Sequence, residues 1–332
     1  MNITIYTDKE PTGSIYLMSQ DLAEILRGRG YEVIVTSKLS QKDLGTPDLL
    51  LNFIPTHIHK ILNLKRYIHI GRIVTVYTPS LDAVSESDLI HILSSAAQGV
   101  PIVAISRMVR DHLTLVVNRV YSPAYRRKIL GNLHYIPYGV RDIFTFGEKH
   151  KRAIIQHTFV APFIRCVEGQ KQYSKHRELS QKLSVGFSRR SIEMTTRLYV
   201  CAEHMSHVSD VNTDGYEVRN TIIDRKKYAE ELQEVGAAVS LSKTESFGLY
   251  YVELLLAGVV VYFAKYPWVD QLLPGYKLQA PIKDIPEFVL ECQKNYPKCR
   301  KYILYEVIPY IRRYYLLEEG FSRSIIDTFG ES

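Results

Sequence analysis

Short apolar runs alternate with helical stretches along most of the chain, and this alternation limits the possible folds more than any other feature of the sequence. Residues 2–7 are rich in β-branched and aromatic side chains, as in a strand, and residues 13–29 carry apolar side chains at helical spacing before Gly30. Residues 31–36 are a second strand-like segment, so the chain is predicted to open with a β-α-β unit. Strands that alternate with helices form a parallel sheet with helices on both faces. The sequence therefore predicts a doubly wound α/β architecture.

The alternating segments form two sets, which are separated by the charged stretch at residues 147–152. Further strands of the first set are predicted at residues 49–53, 73–77, 101–105 and 134–137, and those of the second set at residues 153–155, 198–201, 221–223, 237–241 and 259–264. Each set is long enough to form a domain with its own core. We therefore predict two Rossmann-like domains, residues 1–147 and 148–303, followed by a helical segment over residues 304–332.

The composition is that of a globular protein, with 46% hydrophobic and 23% charged residues in a chain of 332. The net charge of +7 and the pI near 9.0 favour anionic partners such as nucleotides, nucleic acids or acidic lipid surfaces. The four cysteines show no metal-binding spacing and are too few for a disulfide scaffold, so we expect reduced thiols in a cytoplasmic protein. No apolar run reaches the length of a membrane-spanning helix, and the first residues resemble a strand rather than a signal peptide.

Residues 242–253 give the clearest indication of chemistry, because they connect a predicted buried strand to a predicted helix. The helix is predicted to begin near Gly248 and to end at Gly258. The first N–H groups of a helix have no partner within the helix, and the aligned peptide dipoles add partial positive charge there. The strand-to-helix corner is therefore predicted to bind a phosphate group.

Glu245 and Glu253 lie on either side of this corner. A fully helical path, at about 1.5 Å per residue, would place them roughly 12 Å apart, whereas the paired carboxylates of glycoside hydrolases are roughly 5 to 9 Å apart. The two glutamates therefore suit an extended ligand, with a diphosphate over the helix start and hydroxyl groups at both ends. A nucleotide sugar has this layout. The alternative is that both side chains only complement the helix dipole, with Glu253 facing solvent.

Three motifs resemble those of the GT-B glycosyltransferases of family 4, which are retaining enzymes that use nucleotide sugars. Residues 242–249 with Glu253 are similar to the family's serine and glutamate before Phe-Gly-Leu, followed by a second glutamate. Residues 136–144 and 103–111 are similar to the end of the family's first domain and to the strand that precedes it. The resemblance implies an α/β fold of GT-B type, with two Rossmann-like, doubly wound parallel-sheet domains facing a cleft and a C-terminal helix that returns to the first domain.

The resemblance also implies roles for individual residues around the corner. Glu245 would hold hydroxyl groups of the transferred sugar, and Glu253 would hold the ribose of the nucleotide. The backbone N–H groups of Phe247, Gly248 and Leu249 would contact the phosphates. The sequence argument and the family resemblance therefore predict the same ligand for this segment.

Arg165 and Lys171 resemble the family's basic pair, which neutralises the diphosphate leaving group as the glycosidic bond breaks. Gly13 resembles a glycine of the family's first loop, where a missing side chain lets the backbone approach the donor phosphate. Two segments depart from the family pattern. Tyr77 stands where the family has a histidine, and residues 266–268 replace a small, glycine-rich turn. At these positions we therefore expect sugar and acceptor contacts that differ from those of the family.

The resemblance thus implies a retaining, hexosyltransferase-type enzyme that moves a sugar from a nucleoside-diphosphate sugar to a lipid, glycan, protein or nucleic acid. The histidines show no paired metal spacing and no Asp-x-Asp motif is present, so neither a catalytic metal nor a cofactor beyond the sugar donor is expected. The alternative is a protein without catalytic activity that binds a nucleotide or a nucleic acid on a decayed glycosyltransferase scaffold. Nucleotide binding without sugar turnover would favour this alternative.

Residues 119–130 form a basic insertion with interleaved tyrosines and aliphatic side chains. Such a segment can press on an anionic membrane or on nucleic acid, which would make the protein peripheral to a membrane. The other interpretation, favoured by the shortness of the charge cluster, is a solvated loop whose aromatic stems are buried.

Overall fold

The computed structural model describes residues 1–9, 14–79, 84–145, 155–161, 172–200, 216–220 and 225–330. The chain divides into two compact units. The first consists of Met1–Arg141 together with Tyr314–Ser332, and the second of Asp142–Arg313. Each unit contains one six-stranded sheet in which all neighbouring strands run parallel.

The first unit has the strand order β2-β1-β3-β4-β5-β6. Its strands are β1 (Asn2–Tyr6), β2 (Glu32–Thr36), β3 (Leu49–Asn52), β4 (Arg72–Tyr77), β5 (Ile102–Ala104) and β6 (Leu133–Tyr135). Its helices up to the second unit are α1 (Ser14–Gly28), α2 (Gln41–Leu44), α3 (Ile58–Leu64), α4 (Glu86–Ala97), α5 (Arg107–Val120) and α6 (Pro123–Gly131). The central strands are continuous apolar runs because both faces of the sheet are covered by helices. The hydroxyl groups of Ser85 and Ser106 accept hydrogen bonds from backbone N–H groups in the first turns of α4 and α5, which fixes where these helices start.

The second unit has the strand order β12-β11-β10-β7-β8-β9. Its strands are β7 (Ile155–Val160), β8 (Thr195–Val200), β9 (Glu217–Asn220), β10 (Val235–Ser240), β11 (Val260–Ala264) and β12 (Gln279–Ala280). Its described helices are α7 (Tyr173–Ser188), α8 (Arg225–Leu232), α9 (Leu249–Leu256), α10 (Pro267–Leu272), α11 (Ile285–Lys294), α12 (Tyr296–Tyr302) and α13 (Ile308–Tyr314), the last of which ends in the first unit. Every residue of β10 and β11 is buried, so these strands lie in the core of the unit.

The predicted doubly wound α/β architecture is confirmed in both units. The strand predicted at residues 153–155 lies further along the chain, at Ile155–Val160, and the strand predicted at 221–223 falls outside the described residues. Among the described residues, no helix has both the length and the apolar character needed to cross a membrane.

Residues 119–130 are helical, so the expectation of a loop is wrong. They form the end of α5 and most of α6, and Pro123 occupies the first turn of α6, where its missing N–H and fixed φ are favourable. The guanidinium of Arg126 donates to the backbone oxygens of Asn118 and Tyr121, at 2.7 and 3.2 Å, and so closes the turn between the two helices. Tyr125 is 58% exposed, whereas Ile129 is fully buried. Contact of this segment with an anionic surface stays a prediction.

The C-terminal residues add a short extended segment and a helix to the first unit. The chain passes through a π-helical turn at Ile303–Val307 and then helix α13. Leu316, which follows, forms a parallel bridge with Val140. The backbone oxygen of Tyr315 accepts from the N–H of Val140 at 2.8 Å, and the N–H of Leu317 donates to the oxygen of Val140 at 2.9 Å. A second π-helical turn, Leu317–Phe321, leads into α14 (Ser322–Phe329). Backbone hydrogen bonds therefore hold the C-terminal segment against the end of the first sheet.

Replacing Gly139 with alanine is expected to loosen this attachment. A Cβ atom at Gly139 would lie 2.6 Å from the backbone nitrogen of Leu317 and from the backbone oxygen of Tyr315, neither of which can move aside as a side chain would. We expect a loss of about 1–3 kcal/mol in the free energy of unfolding, measured by urea denaturation. Gly131→Ala is the matched control, because in the described part of the chain nothing lies within 4 Å of its added Cβ. Equal stability of both variants would contradict the proposed clash.

Candidate functional site

The order of the strands in the second sheet predicts where a ligand would bind. The chain passes from β7 to β8 on one side of the sheet and from β10 to β11 on the other, although β7 and β10 are hydrogen-bonded neighbours. The connections after β7 and β10 therefore leave towards opposite faces of the sheet and open a crevice at the carboxyl ends of these two strands. Ligands of doubly wound sheets bind at such a switch point.

The turn after β10 carries the first predicted glutamate. Ser242 is buried, and its Oγ donates a hydrogen bond to Oε1 of Glu245 at 2.6 Å. The indole N–H of Trp268 donates to the backbone oxygen of Ser242 at 2.9 Å, and the side-chain amide of Gln172 donates to the backbone oxygen of Leu241. Side chains from α10 and from the start of α7 thus fix the backbone that holds the Glu245 carboxylate.

Gly248 forms the corner between this turn and helix α9. Its backbone is left-handed, with φ 78° and ψ 36°, a conformation that costs other residues about 1–2 kcal/mol. A Cβ atom at this position would also lie 3.2 Å from the Trp268 ring. Helix α9 follows for eight residues, and Gly248 brings no side chain that would cap its first N–H groups. The positive end of the α9 dipole therefore lies at this corner, where it favours an anion.

Glu253 is buried in the second turn of α9, so the alternative that it faces solvent is wrong. Its Oε1 accepts a hydrogen bond from Nη2 of Arg225 at 2.5 Å, and the exposed fractions of the two side chains are 3% and 14%. The guanidinium of Arg225 also lies over the ring of Phe144, 4.9 Å from the ring centre. A buried carboxylate with a buried cationic partner is held in one orientation.

Two tyrosines connect this ion pair to the end of β7. The hydroxyl of Tyr250, in the first turn of α9, donates to the backbone oxygen of Ala161 at 3.2 Å. Tyr228 lies on α8 against the ring of Phe144, and burial raises its pKa well above the usual value, so it stays protonated at neutral pH. The side chains that surround Glu253 therefore reach the carboxyl ends of both strands at the switch point.

The structure brings together five of the residues predicted from the sequence, at the corner after β10. These are Glu245, Phe247, Gly248, Leu249 and Glu253. Between Glu245 and Glu253, only the part from Leu249 onward is helical. The distance of roughly 12 Å expected for a helix running through both glutamates therefore does not apply. Gly13, Arg165 and Lys171 lie outside the described residues, and their roles stay predictions.

Tyr77, which stands where the resemblance expects a histidine, belongs to the core of the first unit. It is fully buried at the end of β4, and burial raises its pKa to about 12. The raised pKa keeps the phenol protonated at neutral pH, so Tyr77 does not carry the charge that a histidine can gain there. Within the described residues, no group of three histidine, cysteine, aspartate or glutamate side chains is arranged to hold a metal ion.

Three residues that shape this site were not predicted from the sequence: Gln172, Arg225 and Trp268. Gln172 has a left-handed backbone, with φ 54°, which is uncommon for a residue other than glycine and is found mainly where the surrounding structure requires it. Trp268 follows Pro267, which begins α10. Both residues belong to the segment 266–268 that departs from the family pattern, and this departure was the feature of the sequence that could have indicated Trp268. Arg225 gave no signal, because nothing in its local sequence indicates a partner on another helix.

No protein-family model matches the sequence, and a comparison with curated proteins finds no significant match. Solved structures do match over the whole chain. The sucrose-phosphate synthase tll1590 from Thermosynechococcus elongatus is 11% identical, with a TM-score of 0.69 over 99% of this chain and 98% of that one. WaaG, a glycosyltransferase involved in lipopolysaccharide biosynthesis, is 12% identical, with a TM-score of 0.64 over 100% of both chains.

A third similar structure is the trehalose-6-phosphate protein from E. coli bound with UDP-2-fluoro glucose, which is 10% identical, with a TM-score of 0.67 over 100% of this chain and 99% of that one. At these identities the likeness establishes the fold and not the activity. The chain has the fold of these proteins, with two Rossmann-like units of GT-B type, as the sequence predicts.

Proposed function

We propose that the protein is a glycosyltransferase that moves a sugar from a nucleoside-diphosphate sugar to an acceptor. The observation that carries the proposal is the corner at the switch point of the second sheet, where helix α9 begins directly after Gly248 and follows the turn in which Ser242 holds the carboxylate of Glu245. The likeness to structures that include a glycosyltransferase and a protein bound with UDP-2-fluoro glucose supports the same ligand class.

In this proposal the diphosphate of the donor lies over the first N–H groups of α9. These groups and the helix dipole are positioned before the reaction, and negative charge grows on the diphosphate as the bond from the sugar C1 to the phosphate oxygen breaks. Preplaced positive charge therefore stabilises the transition state more than the bound substrate. Arg165 and Lys171, which follow β7 in the sequence, would add cations to the same leaving group.

The two glutamates hold the ends of the donor in this proposal. Glu245, fixed by Ser242, accepts hydrogen bonds from hydroxyl groups of the sugar, and Glu253 accepts them from the ribose. The acceptor oxygen then forms the new bond to C1 as the bond from C1 to the phosphate oxygen breaks. The proton of the acceptor hydroxyl passes to the departing diphosphate, and the nucleoside diphosphate leaves. The retaining stereochemistry and the absence of a catalytic metal follow from the family resemblance and are part of the proposal.

A screen of nucleotide sugars tests the proposal directly. The protein is incubated with UDP-, GDP- and ADP-sugars, and free nucleoside diphosphate is measured, first with water as the acceptor and then with lipid, glycan, protein and nucleic acid acceptors. We expect one donor class to give nucleoside diphosphate release that rises when the correct acceptor is added. Binding of a donor without release under any condition would favour the non-catalytic alternative, and no binding at all would overturn the site.

A further inference from the structure

The ion pair between Arg225 and Glu253 lies at the carboxyl edge of the second sheet. Both side chains are largely removed from water, and Arg225 is the first residue of α8, at the same carboxyl edge of the second sheet as Ala161 and the corner at Gly248. An ion pair buried to this degree often contributes little to stability, because both charges lose their hydration. Because this pair lies at the edge of the sheet where ligands of such folds bind, we consider a role for it in ligand recognition.

The contacts of Arg225 restrict how the Glu253 carboxylate can turn. The hydrogen bond from Nη2 holds one carboxylate oxygen, while the cation–π contact, with the guanidinium carbon 4.9 Å from the centre of the Phe144 ring, holds the guanidinium in place. Phe144 in turn packs edge-on against Tyr228. The N–H groups of a planar guanidinium point in fixed directions, so a guanidinium held against an aromatic ring restricts the orientation of the carboxylate that it binds. A lysine ammonium on a flexible stem imposes no such restriction.

We propose that Arg225 is the positioning residue that presents Glu253 to the ribose hydroxyl groups, and that this pair makes the protein select ribonucleotides over 2′-deoxyribonucleotides. This inference rests on the proposed function. An ionised carboxylate accepts hydrogen bonds only, and two adjacent hydroxyl groups on a ribose supply two donors in a fixed geometry. A carboxylate held in one orientation accepts hydrogen bonds from both hydroxyl groups, whereas a freely rotating carboxylate gains little from the second hydrogen bond. Sites that hydrogen-bond a hydroxyl group discriminate strongly against analogues that lack it.

The test compares the binding of UDP, GDP and ADP with that of their 2′-deoxy forms by calorimetry, so it does not depend on turnover. We expect the wild-type protein to bind the matching ribonucleotide at least about 10-fold more tightly than its deoxy form. In Arg225→Gln this ratio is expected to fall close to one, because affinity for the ribonucleotide drops while affinity for the deoxynucleotide changes little. Glu253→Gln is expected to give the same result, and the double variant is expected to be no worse than either single one.

Three controls separate positioning from simple loss of structure. Lys227→Ala removes an exposed cation from the same turn of α8 and should leave the ratio unchanged. Arg225→Lys keeps the charge but not the planar fork, so it should restore only part of the selectivity. With the donor found in the screen, Arg225→Gln should raise KM and leave kcat within about twofold, since the ribose is remote from the bond that breaks.

The outcomes distinguish the two proposals. If the wild-type protein binds no nucleoside diphosphate, both are overturned. If it binds a nucleotide and Arg225→Gln keeps the wild-type preference for ribose while unfolding at a normal temperature, only the positioning role is overturned. If Arg225→Gln does not fold, the preference measured in Arg225→Lys decides, and an unchanged ratio there overturns the role.

Discussion

Replacing Glu245 with alanine is expected to lower the rate of sugar transfer by about 100- to 1,000-fold, the loss seen when one preplaced polar group of an active site is removed. The carboxylate is held by Ser242 Oγ at 2.6 Å, so in the wild-type protein it meets the sugar hydroxyl groups without reorganising. Steady-state kinetics with the donor found in the screen measure the effect. The midpoint of thermal unfolding should change little, because Glu245 is only half-buried and lies outside the helix.

Two further variants show whether the loss belongs to this carboxylate. Ser242→Ala leaves the charge in place but removes the hydrogen bond that orients it, so a smaller loss of about 10-fold is expected. Glu230→Ala removes an exposed carboxylate from α8 in the same unit and should leave transfer unchanged. Turnover of Glu245→Ala near that of the wild-type protein would show that the sugar is held elsewhere, and the assignment of the corner would then be wrong.

The fold and the corner could be predicted because both depend on short-range patterns. Continuous apolar runs such as residues 237–241 identify buried parallel strands, and the start of α9 is marked by Gly248, whose left-handed backbone few other residues adopt. The two-residue strand β12 was missed since it is too short to show any periodicity. A loop was favoured at residues 119–130 because the charge cluster is short, but Pro123 stands in the first turn of a helix, where proline is common.

The partner of Glu253 could not be predicted from the sequence. Arg225 lies 28 residues earlier in the chain, and the two side chains meet only because α8 and α9 both begin at the same edge of the second sheet. No helical or strand periodicity relates residues on different helices. The same reasoning applies to Trp268 and Ser242, whose hydrogen bond joins residues 26 positions apart. Sequence patterns thus located the corner, while the side chains that orient its carboxylates came from tertiary packing.

Replacing Gly248 with alanine is expected to weaken donor binding by about 10-fold or more and to lower the free energy of unfolding by about 1–2 kcal/mol. The loss of stability arises from the φ of 78°, which alanine adopts only with strain. The loss of binding has a different cause. The new Cβ would lie 3.2 Å from the Trp268 ring, so either the ring or the corner must shift, and the N–H groups at the helix start move with the corner. Calorimetric titration with the nucleoside diphosphate measures the loss of binding, and urea denaturation measures the loss of stability.

Gly258→Ala separates these two effects, because Gly258 lies at the other end of the same helix. Its φ is 77°, almost the same as that of Gly248, but among the described residues its added Cβ would meet only a leucine side-chain atom, Leu304 Cδ2, at 3.7 Å. We therefore expect a similar loss of stability and no change in nucleotide affinity. If both variants lost affinity equally, the weakening would reflect general destabilisation, and the helix start would not be the phosphate site. A loss of affinity confined to Gly248→Ala would place the anion at the first turn of α9.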